Sequence, residues 1–147
     1  MKLVINSCYG GFSLSHKGVM EYAKRAGIKL YAYVDARYLH KNLNKPDIYK
    51  SKPKYVPYDK KVKAFCIHYY TAPIRKGNVD DYDFNYFSIR DVLRYDTNLV
   101  ATVEHLKEEA NGECAKLKIV EIPDGIDYEI SEYDGIESIE ETHRSWG

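Results

Sequence analysis

Apolar positions along this chain fall mostly into short alternating or continuous runs, and only twice into helical stripes. Leu3-Val-Ile5 is a short continuous apolar, β-branched run, the signature of a buried strand. Ile28, Leu30, Ala32 and Val34 alternate with Lys29, Tyr31 and Tyr33, which predicts a second strand over 28–34. A third spans 62–70, with Val62, Ala64, Cys66, His68 and Tyr70 on one face and Lys63, Phe65, Ile67 and Tyr69 on the other. Phe84–Ile89 predicts a short fourth strand and Leu117–Ile122 a fifth, stopped by Pro123-Asp-Gly125 and paired as a hairpin with Tyr128–Ile130. Helical spacing of Val19, Met20, Tyr22, Ala23 and Ala26 predicts a helix over 16–26, entered through Ser13 and Ser15 and closed by Gly27. Leu99, Val100, Val103 and Leu106 predict another over 97–110, capped by Asp96 or Thr97 and ended at Gly112. The tail turns at Asp134-Gly135 and continues as either a strand or a helix carrying Ile136, Ile139 and Glu140.

These elements describe a single domain over 1–147 of the α/β or α+β class, with a mixed β-sheet of about five to seven strands flanked by two main helices. Strand, helix and strand within the first 34 residues predict a parallel βαβ unit with a right-handed crossover. Its ligand side is the carboxyl end of the strands. The stretch 36–61 reads as an extended basic loop or arm, because Pro46, Pro53 and Pro57 exclude a regular central strand. It is open to three readings: a nucleic-acid arm, a loop over a small anion, or a subunit contact.

Composition changes this picture in two ways. The net charge is zero, yet residues 1–79 hold sixteen Lys and Arg against four Asp and Glu, while 80–147 hold six against eighteen. Such a split can serve an anionic ligand, subunit attraction, or nothing once the fold mixes the charges. Eight of the fifteen tyrosines lie between Tyr31 and Tyr70, interleaved with lysines. They suit either half-buried sheet positions or stacking on bases. No run of eighteen apolar residues is present, so no membrane span is expected, and the start lacks the apolar run of a signal peptide. Cys8, Cys66 and Cys114 are three and widely spaced, which fits reduced thiols in a cytoplasmic protein and argues against zinc.

The candidate chemistry centres on Ser7, Tyr9, Gly10, Gly11, Phe12, Ser13 and Ser15. A strand feeding a Gly-Gly turn feeding a hydroxyl-capped helix brings free amides and the helix dipole toward one point, an anion site. The same residues serve equally as a tight turn and an ordinary cap. Neither a Walker loop nor the three-glycine dinucleotide fingerprint is present. Arg90 and Arg94 suit phosphate, or else ion pairs with Asp91, Asp96 or the Asp80, Asp81, Asp83 cluster. That cluster reads as a solvated turn or a cation site, and His68 as a packed strand residue or a base. Arg144 and Trp146 in the tail cover a pocket, dock on a neighbour, or staple the tail to the core. Cys8, just before the glycine turn, is a buried strand-end residue or a nucleophile. No histidine is spaced to it, no catalytic residue is assigned, and no cofactor motif or metal-ligand cluster appears.

With those residues in hand, Val4-Ile-Asn-Ser-Cys-Tyr-Gly-Gly-Phe-Ser-Leu-Ser15 resembles the opening of a widespread family of small tailed-phage proteins. Asp96-x-x-Leu-Val100, Ile122-Pro-Asp124, Glu132-Tyr-Asp-Gly135, Glu140 and His143-Arg-x-Trp146 match the same family, whereas 36–88 does not. The family in turn resembles phage sponge proteins that sequester cyclic oligonucleotide alarm signals of bacterial anti-phage systems. The resemblance implies a homo-oligomer in the host cytosol that binds a cyclic dinucleotide without cleaving it. A small anionic nucleotide is therefore the expected ligand, held by the Gly-Gly loop, Phe12 and Arg90, Arg94 or Arg144. Two alternatives stand beside it: a small enzyme using Cys8 or a histidine, and a nucleic-acid or protein-binding module built on 37–63. The acidic second half disfavours a duplex partner.

Overall fold

The computed structural model describes residues 1–38, 54–60, 66–74 and 85–142. In chain order its elements are β1 (Lys2–Asn6), α1 (His16–Ala26), β2 (Tyr31–Asp35), β3 (Tyr55–Pro57), β4 (His68–Tyr70), β5 (Tyr86–Phe87), α2 (Thr97–Leu106), β6 (Leu117–Glu121), β7 (Tyr128–Tyr133) and β8 (Ile136–Glu141). The fold is α+β, and the chain divides into two compact units, 1–27 with 89–147, and 28–88.

In the first unit β1 pairs antiparallel with β6, Val4 opposite Ile119. Leu3, Val4 and Ile5 are all buried because both faces of β1 are covered, with α2 and β8 packed against it. That is why β1 reads as a continuous apolar run without belonging to a parallel sheet. The helices pack on each other and bury Val19, Tyr22, Leu99, Val103 and Leu106. Each helix start is built by its cap. Ser15 Oγ accepts from the Gly18 amide at 3.0 Å, and Asp96 Oδ1 accepts from the Asn98 and Leu99 amides at 2.8 and 3.0 Å. Gly27 closes α1 at φ 72°. After Leu106 the second helix tightens into a 3-10 turn over Lys107–Ala110.

β7 and β8 form a hairpin in register from Tyr128 opposite Glu141 to Tyr133 opposite Ile136. Its two-residue turn, Asp134 at φ 50° and Gly135 at φ 86°, has the paired positive φ of a type I′ turn, for which Asp-Gly is well suited.

The second unit is a four-stranded antiparallel sheet in the order β3-β2-β4-β5. Its tyrosines occupy sheet positions and meet edge to face: the Tyr33 and Tyr70 rings lie 5.8 Å apart, and Tyr70 and Tyr86 5.6 Å. His68 joins this aromatic group, 5.2 Å from the Tyr55 ring. Buried Asp35 ends β2 and is gripped by Arg37 at 2.6 Å.

Three expectations change. Among the described residues there is no parallel βαβ unit, since β1 pairs with β6 and β2 with β3 and β4, and every strand pairing is antiparallel. Among them the strands make three small sheets rather than one. Tyr128–Ile130 pairs not with Leu117–Glu121 but with the tail, because the Asp134-Gly135 turn closes a six-pair hairpin locally. Of the 36–61 segment, 39–53 and 61 lie outside the described residues, and 55–57 is strand β3. Asp80, Asp81 and Asp83 also lie outside them. Among the described residues no helix is long and apolar enough to cross a membrane.

Candidate functional site

A cavity of about 410 Å³ opens in the first unit, lined by Gly10, Gly11, Phe12, Arg90, Arg94, Glu132, Asp134, Gly135 and Glu137. Its volume falls within the range of roughly 300–1,000 Å³ usual for small-molecule sites. Three segments meet there: the loop after β1, the 3-10 turn and bend preceding α2, and the tip of the β7–β8 hairpin.

The loop is held by Asn6, which is wholly buried at the end of β1. Its Nδ2 donates to Cys8 O at 2.6 Å and to Gly135 O at 2.7 Å, while its Oδ1 accepts from the Lys116 amide at 2.9 Å. These bonds press the Gly10-Gly11 backbone against the hairpin turn. A Cβ on Gly135 would collide with the backbone nitrogens of both Gly10 and Gly11. Close backbone approach is thus what the glycines supply here, along with φ of 106° at Gly10 and 90° at Gly11.

Arg94 forms the floor. Its Nη1 donates to Glu137 Oε2 at 2.9 Å and its Nη2 to Glu137 Oε1 at 2.8 Å, a bidentate fork. The guanidinium carbon stands 3.4 Å from the centre of the buried Phe12 ring, so the fork lies over the ring face. Glu137 is itself buried and also accepts from the Asn6 amide at 2.8 Å. Three acceptor contacts from two donor residues offset the cost of burying that carboxylate. Arg94 keeps 18 % of its side chain exposed and lines the cavity. With its edge committed to Glu137, what it offers a ligand is a flat cationic face. Arg90 lines the same cavity, its Nη2 4.0 Å from where a Cβ on Gly11 would stand.

Of the residues singled out by sequence, Gly10, Gly11, Phe12, Arg90 and Arg94 are brought together. The serines are not part of the lining. Ser15 caps α1 and donates to Glu109 O at 2.5 Å, Ser7 donates to Lys116 O at 3.0 Å, and Ser13 packs against Gly112. The start of α1 is therefore not part of the cavity's lining. Tyr9 is exposed beside Gly10. Arg144 and Trp146 lie outside the described residues. Cys8 is half-buried and does not line the cavity.

Sequence reasoning missed the acidic wall, Glu132, Asp134 and Glu137, and so the partner of Arg94. The signal was present: a two-residue Asp-Gly turn places 132 and 137 directly opposite each other on one hairpin face. Among the described residues no group of three or more His, Cys, Asp or Glu is placed to hold a metal ion. No family model, no curated protein and no solved structure matches the chain.

Proposed function

We propose that this protein is a nucleotide-binding module that holds its ligand in the cavity of the first unit without cleaving it. The observation that carries the reading is the Arg94–Phe12 stack, pinned by Glu137 at the cavity floor. An arginine plane fixed on an aromatic ring is a surface on which a nucleobase stacks with little ordering cost. Arg90, close to Gly11, supplies charge for a phosphate. Two cations and three carboxylates in one lining suit a ligand with both an anionic group and hydrogen-bond donors, rather than a bare anion. The resemblance of both chain ends to small tailed-phage proteins supports a viral setting. In that setting the ligand is a nucleotide second messenger of the cyclic dinucleotide class, sequestered in the host cytosol by a homo-oligomer.

The test is a thermal-shift screen against mononucleotides, linear dinucleotides and cyclic dinucleotides. Each hit is followed by heat denaturation and chromatography of the released ligand. A shift with intact ligand returned is the expected result. A shift with altered ligand makes the protein an enzyme, and absence of any shift across the panel overturns the nucleotide reading.

A further inference from the structure

The acidic wall points to the base. Glu132 and Asp134 both line the cavity, and among the described residues neither has an ion-pair partner. Glu132 stands directly opposite Glu137 in the hairpin register, and like charges facing each other across a strand pair are destabilising. Arg94 offsets Glu137 but its fork is fully committed there. Glu132 is thus an exposed carboxylate facing the Glu137–Arg94 pair, with a second exposed carboxylate at Asp134. Both line the cavity that Arg94 and Phe12 also line.

Resting on the nucleotide reading of this cavity, we infer that Glu132 and Asp134 select guanine. An ionised carboxylate only accepts hydrogen bonds. Guanine alone among the common bases presents two adjacent donors on its Watson–Crick edge, N1–H and the N2 amino group, which one carboxylate accepts together. Adenine places the N1 lone pair at the same point and meets the carboxylate with repulsion. Uracil offers a single N3–H flanked by carbonyls, and cytosine one amino group beside a lone pair. A guanine stacked on Arg94 directs its donor edge to the hairpin tip and its phosphate to Arg90. Hypoxanthine, lacking the N2 amino group, keeps one of the two bonds.

The experiment is calorimetric titration of the intact protein with the cyclic dinucleotides of guanine and of adenine, and with GMP, IMP and AMP. A carboxylate pair of this kind discriminates by about tenfold or more. The expected order is guanine over hypoxanthine over adenine. In Glu132→Gln and Asp134→Asn the preference falls while a common weak affinity remains. Both substitutions preserve shape, and asparagine is at home at the positive φ of residue 134, so circular dichroism should show the hairpin unchanged. Equal affinity for guanine and adenine ligands, or a guanine preference untouched in the double variant, overturns the guanine assignment and leaves nucleotide binding standing. Failure of every nucleotide to bind overturns both.

Discussion

At the scale of single residues, the first unit turns on two side chains that each join distant segments of the chain. Asn6 joins the end of β1 to the glycine loop, the hairpin turn and the segment entering β6. Asn6→Ala strands two carbonyls and one amide in or near the core. At roughly 1–3 kcal/mol per buried unsatisfied group, a loss of about 3 kcal/mol is expected in urea denaturation. Asn6→Asp should fare no better, since it removes both donors and sets a second carboxylate beside Glu137. Arg94 separates geometry from charge. Arg94→Lys keeps the cation but loses the bidentate fork and the plane over Phe12, so nucleotide affinity should fall about tenfold or more, and stability falls with it because buried Glu137 loses the fork. Unchanged affinity in calorimetric titration would remove the Arg94 plane from the site.

At the scale of elements, what was legible in the sequence is what neighbouring residues decide. Ser15, Asp96 and Gly27 announce the helix ends, and Asp134-Gly135 announces a turn, because caps and tight turns are settled within a few residues. Pairing partners were not legible. Leu3-Val-Ile5 shows no alternation, so nothing in it says which strand lies beside it, and its partner is more than a hundred residues away. The site divides the same way. The glycines, Phe12 and both arginines stand out by residue type, whereas Glu137 looks like one more acid in an acidic tail until the hairpin register places it under Arg94. Two glycines of similar φ make this contact measurable. Gly125, at φ 80°, has open space where a Cβ would go, so Gly125→Ala carries only backbone strain, about 1 kcal/mol. Gly135, at φ 86°, has no such space, and its Cβ meets the Gly10 and Gly11 backbone. Gly135→Ala should therefore cost at least about 2 kcal/mol more in urea denaturation, strain plus displacement of the loop that lines the cavity. Equal losses for the two variants would show that the loop and turn are not tightly apposed.

At the scale of the whole molecule, the charge split of the sequence is smaller when counted by compact unit than by chain half. Counted over the two compact units, 28–88 carries a formal +6 and the remainder −6. Burial alone pushes the Asp35 carboxyl up, but hydrogen bonds from the Arg37 side chain, with the Arg37 and Lys54 amides, overcome that and hold it below the usual carboxylate range. In the first unit Lys17 draws the Glu109 carboxyl down and the chain's amino terminus draws Asp124 down. Both are solvent-exposed pairs that add little. A carboxyl whose folded pKa is depressed contributes its full stability above its unfolded value, about 3.9, and loses it as pH falls through the lower folded value. Acidification from pH 5 toward pH 2 should therefore weaken the 28–88 sheet. Amide-exchange protection in β2 and β3 should fall over that range. Asp35→Asn should lower the protection of β2 at neutral pH and flatten its fall between pH 4 and pH 2. If the acid limb of β2 keeps its slope in Asp35→Asn, the Asp35–Arg37 pair is not what ties the second unit's stability to pH.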